Sequence, residues 1–195
     1  MSTILSPKQI PDRISGNAVQ KVLVDPPGLY LLTRSYIDHL QAYEHSKSQV
    51  TASYFSLMAA IEIYLKIHLS VYLWLFWDTI KNLEGGTYIW QTILSHSKKP
   101  KEGGIEPKIS LKNSFSHDLI SLLITLKRFV PVDENEVNLL SKTLEVTAGK
   151  DWTEPRYMTM KLPSTDTLNS VFENFKKFKE HMVSHKLDVL DRIEV

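Results

Sequence analysis

Glu62 and Lys66 stand four residues apart in an otherwise apolar run, Ala59-Ala60-Ile61-Glu62-Ile63-Tyr64-Leu65-Lys66. On a helix that spacing puts both side chains on one face. Two readings compete. One is a local ion pair at a partly exposed position, contributing about 0.3–0.5 kcal/mol if solvated. The other is a buried carboxylate that orients a further group, with His117 or Arg156 as candidates, because a buried charge needs a partner.

His117-Asp118 opens a second helix. Its first-turn amides lack partners within the helix, so an anion or nucleotide phosphate could dock on them with the imidazole donating. The competing reading is a capped helix with a polar first turn. Arg156-Tyr157 follows Pro155 in a connector. Its guanidinium either clasps a phosphate with two N–H groups or pairs with a carboxylate and locks the loop. His181 and His185 have a spacing that can hold a metal on one helical face. With no His-Glu-x-x-His pattern and no third ligand, a solvated lysine-rich face accounts for them better. Arg34 and His39 lie about 140° apart around a helix and point away from each other. The chain has no Gly-rich phosphate loop, no Gly-x-Ser-x-Gly elbow and no identifiable carboxylate pair.

Composition narrows the chemistry further. The chain has no cysteine, which removes disulfides, thiolate metal sites and cysteine nucleophiles. Twenty-three basic and 22 acidic residues leave a net charge of +1, which argues against a general polyanion binder and leaves room for a local patch. The N-terminus lacks the basic start and apolar core of a signal peptide, and a cytoplasmic protein is expected. Hydrophobic residues reach 43%, enough to build a core.

The elements that must position these residues are helices. Residues 1–28, punctuated by proline and glycine, read as a non-helical arm, with 19–24 as a candidate short strand. Leu32, Tyr36, Ile37, Leu40 and Tyr43 mark a helix over about 28–46. A long apolar helix spans about 54–83. As a membrane span it would place Glu62, Lys66 and His68 at depth, at roughly 2–4 kcal/mol each. A central bundle helix, or one that also forms a homodimer interface through Trp74 and Trp77, fits better. A short helix is expected over 87–95, followed by a mobile basic loop in 97–110.

Ser116 is the candidate N-cap of the next helix, with Asp118 in its first turn and Pro131 after its end. Asp133 and Glu136 resemble a capping box opening a helix to about 147. The last helix is expected over about 165–191, with Leu168, Val171, Phe172, Phe175, Phe178, Met182 and Leu187 on its apolar edge. The fold class is therefore all-α, an up-and-down bundle of four to six helices. Residues 29–195 form one domain, and 84–113 are a loop-rich insertion.

Three pieces occur in order: the Glu62/Lys66 helix, Ser116-His117-Asp118-Leu119-Ile120-Ser121-Leu122-Leu123, and Arg156-Tyr157 before the last helix. Together, over about 54–190, they resemble the HEPN family of small helical bundles, found alone or beside minimal nucleotidyltransferases. The resemblance implies a bundle of four or five helices, often dimeric, with Glu62, Lys66, His117, Asp118, Arg156 and Tyr157 as binding or structural groups. Many members are RNA-cutting toxins or defence proteins that use Arg-x4–6-His near the last helix. Arg156 matches the arginine, but residues 157–163 contain no histidine. The resemblance thus implies a module that binds a nucleotide, RNA or protein partner such as an antitoxin without catalysis. The alternative is a metal-independent ribonuclease with a degenerate site. No cofactor, metal or membrane partner is expected, and the catalytic residues of that alternative are unknown.

Overall fold

The computed structural model describes residues 10–15, 29–75, 94–96, 109–111, 117–148, 152–153 and 162–194. Among them are five α-helices in an up-and-down bundle: α1 (Leu29–His45), α2 (Val50–Leu75), α3 (Leu119–Phe129), α4 (Glu134–Ala148) and α5 (Thr165–Ser184). Consecutive helices pack together, and α5 closes back onto α2.

The axis of this bundle is α2. Its 26 residues span about 39 Å. It is apolar around most of its circumference because α1, α3 and α5 all cover it. Leu57, Met58, Ile61, Leu65, Leu69 and Leu73 are fully buried, and burying a side chain of that size stabilises the fold by about 1.5–3 kcal/mol. The helix has the length and composition of a membrane span, but 78% of its most apolar window is buried within the bundle. Residues 76–83, expected to extend it, lie outside the described residues, as does Trp77. Trp74 is half-buried against the core.

Helix α1 presents Leu29, Tyr36 and Tyr43 to the core at seven-residue intervals. Two serines shape its turn into α2: the Ser53 hydroxyl donates to the Ser46 carbonyl, and the two hydroxyls lie 3.3 Å apart.

Several boundaries differ from those the sequence predicts. The N-cap of α3 is Asp118, whose carboxylate accepts the Ser121 amide at 2.9 Å; Ser116 is outside the described residues. The capping box at α4 is half-formed. Asp133 accepts the Asn135 amide at 2.7 Å, but its own amide donates to His181 Nε2 at 3.1 Å, the place a box would give to Glu136.

The last helix ends seven residues early, at Ser184. There Lys186 adopts a left-handed conformation with φ 59°. The Leu187 amide reaches back to the Met182 carbonyl (2.7 Å) and the Lys186 amide to that of Val183 (2.9 Å). This is a Schellman turn built without glycine. Leu187 is therefore buried as the residue after the turn rather than as part of a helical stripe.

Two short strand pairs complete the description. Ile14–Ser15 (β1) pairs in parallel with Ile193–Glu194 (β4), tying the arm to the C-terminal end. The expected strand at 19–24 is outside the described residues. Leu94–His96 (β2) pairs antiparallel with Ile109–Leu111 (β3). The expected helix over 87–95 thus gives way to a strand at its end, and the region expected to be a mobile loop ends in one.

Candidate functional site

Glu62 lies on α2 with only 7% of its surface exposed. Three N–H donors from three parts of the chain converge on its carboxylate. Lys66, one turn further along α2, donates to Oε1 at 2.5 Å. His117, immediately before α3, places Nδ1 3.0 Å from Oε2. Trp152, after α4, gives its indole N–H to the same Oε2. Three donors, with no competing acceptor among the described residues, complement an ionised carboxylate, which can only accept. A charge buried this deeply is retained because its lone pairs are met.

Two of the donors, His117 and Trp152, are themselves held. The Asp118 carboxylate takes the Ser121 amide and, at 2.6 Å, the Ser121 hydroxyl, which fixes the start of α3 and so the position of His117. Trp152 is 4% exposed, its carbonyl accepts the Tyr54 hydroxyl at 3.0 Å, and its ring lies 6.1 Å from that of Phe55. The His117 ring meets Trp152 edge to face, with centroids 5.9 Å apart at 87°.

Because Glu62 Oε2 only accepts, Nδ1 of His117 carries the proton. Nε2 is then left as the ring's second polar atom, with no hydrogen-bond partner among the described residues. The imidazole side chain is 43% exposed and that of Lys66 22%. Solvent therefore meets a histidine and a lysine braced from behind by one carboxylate.

Both readings of Glu62 are realised together. It pairs with Lys66, and it orients His117. Asp118 adjoins the cluster but is spent on the helix cap. Arg156 and Tyr157 lie outside the described residues. Sequence reasoning missed Trp152, which lies in a connector with no periodicity to mark it.

It also missed a second buried carboxylate. The Tyr64 hydroxyl donates to Asp188 Oδ2 at 2.7 Å, and the Leu190 amide donates to Oδ1 at 2.8 Å. His68, fully buried, gives Nδ1–H to the Tyr64 carbonyl (2.8 Å) and receives the Val189 amide at Nε2 (3.2 Å). The Tyr72 hydroxyl donates to the Leu187 carbonyl. Tyr64, His68 and Tyr72 recur every four residues on α2, a polar-tipped stripe that the sequence does display. Burial pushes the Asp188 carboxyl up, but the nearby His68 ring, the Leu190 amide and the Tyr64 hydroxyl outweigh it and bring the group down to about 2. Burial, then the Asp188 charge, pushes the Tyr36 and Tyr64 hydroxyls well above the usual tyrosine range.

The remaining candidates have local roles. His181 uses Nε2 to accept the Asp133 amide and stacks on His185 at 4.0 Å. Arg34 lines a shallow groove of about 390 Å³ with Tyr30, Thr33, Ile37, Asp38 and Gln41, all on α1. Lys179, expected on the solvated face of α5, sits 5.4 Å over the Tyr36 ring.

Comparison of the chain with protein-family models, characterised proteins and solved structures gives no match.

Proposed function

We propose that this chain is a HEPN-like helical module that binds a nucleotide or RNA, without catalysis, at the Glu62–Lys66–His117 cluster. The observation that carries the proposal is the convergence of those three residues, 55 positions apart at their extremes, on one half-open surface. The Lys66 ammonium and the His117 imidazole both reach solvent there, and the carboxylate behind them holds both in place. Ligand recognition needs polar groups placed in advance, and this bracing supplies the placement. Arg156 and Tyr157 are proposed as further contacts on the strength of the family resemblance, and the same resemblance supports a homodimer.

The test is binding of nucleotides and short single-stranded RNA to the purified chain, by calorimetry and fluorescence anisotropy. Lys66→Ala and His117→Ala should each weaken binding about tenfold with little change in thermal stability. A wild-type chain that binds neither class of ligand sinks the proposal.

One observation favours a second reading, a ribonuclease. An exposed imidazole oriented through Nδ1 by a buried carboxylate has the arrangement a general base uses. RNA degradation by the wild type that disappears in His117→Ala would establish it.

A further inference from the structure

His117 cannot greet a phosphate in the state that Glu62 imposes on it. The carboxylate fixes the neutral ring as the Nδ1–H tautomer, so the Nε2 facing solvent is a lone pair. A phosphate oxygen is also an acceptor, and two acceptors repel. Only the doubly protonated ring offers an N–H at Nε2.

The local charge points the same way. From α2, Lys66 and Glu62 face His117 and cancel each other. Asp118, beside it at the start of α3, adds a negative charge held by Ser121. Of the described residues after α4, Trp152 adds an indole and Thr153 a hydroxyl, neither of them charged. With a neutral imidazole these described groups sum to one negative charge, which does not attract an anion. One added proton, at Nε2, removes that excess and creates the missing donor in a single step.

We infer that the site captures a phosphodiester oxygen with uptake of one proton at His117, so that binding is acid-assisted. This rests on the functional reading above and adds its regulation. The proton comes from solvent, moves to Nε2, and returns when the ligand leaves. Affinity then rises as pH falls through the range in which the free ring is neutral, by about tenfold per pH unit.

The experiment uses a single-stranded uridine decamer, whose phosphodiesters and bases keep one protonation state between about pH 5.5 and 8. Calorimetry in buffers of different ionisation enthalpy reads the protons taken up, and anisotropy reads affinity against pH. The wild type should take up close to one proton per site at the upper end of that range and show the steep slope. His117→Gln, at a half-exposed position, should lose both. Glu62→Ala should flatten the slope, since without an acceptor at Nδ1 the ring is free to carry its proton on Nε2. Long-range nitrogen–proton NMR on the ligand-free wild type adds an independent check, and a neutral His117 protonated at Nε2 would overturn the inference. Binding without proton uptake overturns it while leaving the functional reading in place. Absence of binding at every pH removes that reading and the inference together.

Discussion

Two buried carboxylates meet α2, each with an aromatic donor and a histidine beside it. Asp188 is closed in. The histidine beside it and its tyrosine partner are both fully buried, and the Leu190 amide takes part. Glu62 is buried to the same degree, but two of its donors, His117 and Lys66, reach solvent. The same chemical parts thus make a fastener at one place and a presentable surface at the other. What separates them is whether the donors have water as an alternative. Tyr64 has none, so its bond to Asp188 holds residues 187–190 onto the bundle. Lys66 and His117 have water available, so their bonds orient more than they stabilise.

The largest expected effect follows from that difference. Asp188→Ala strands a buried hydroxyl and an amide, and should cost about 3 kcal/mol in urea unfolding. Glu62→Ala should cost about 1 kcal/mol, because Lys66 and His117 can turn to water and only the indole N–H loses a buried acceptor. Equal costs for the two substitutions would erase the distinction between fastener and surface.

Acid sharpens the comparison next. The folded Asp188 carboxyl titrates near 2, below its ordinary 3.8. The stability it adds is therefore complete above about pH 3.8 and is lost as pH falls toward 2. Unfolding free energy measured across that window should show the loss in the wild type, and Asp188→Asn should remove most of it. An unchanged slope in the variant would mean that other carboxylates carry the acid sensitivity.

How much of this was legible beforehand divides along physical lines. Helix identity was legible because Leu119, Leu122, Leu123, Leu126 and Phe129, or Leu168, Val171, Phe175, Phe178 and Met182, repeat with the helical period and are indeed buried. The Glu62–His117 contact was legible as one of two readings, because a charge in an apolar helix must find a partner. Trp152 and Asp188 were not, since each sits in a connector where nothing periodic announces a tertiary bond. The capping box at Asp133 was misjudged for a related reason. Local spacing names Glu136 as the partner of the Asp133 amide, and a distant histidine on α5 takes the place. The end of α5 was misjudged because its turn carries none of the usual punctuation.

That unpunctuated turn gives the smallest effect and the finest test of the fastener. Lys186 holds φ at 59°, where its Cβ crowds the backbone and glycine would not. The strain is tolerated because the turn delivers Leu187 to Tyr72, Asp188 to Tyr64 and the Val189 amide to His68. Arg192 helps by donating to the Lys186 carbonyl at 2.9 Å and to that of Ile10 at 3.1 Å. Lys186→Gly should therefore stabilise the chain by about 0.5–1 kcal/mol, the relief of left-handed strain exceeding the entropy glycine adds to the unfolded state. The gain should depend on the fastener. In an Asp188→Ala background, with residues 187–190 less firmly held, the left-handed turn is less strictly demanded and the benefit should shrink toward zero. A double-mutant cycle by urea unfolding measures this coupling. Full additivity would show that the turn and the Asp188 cluster are independent features of the C-terminal end.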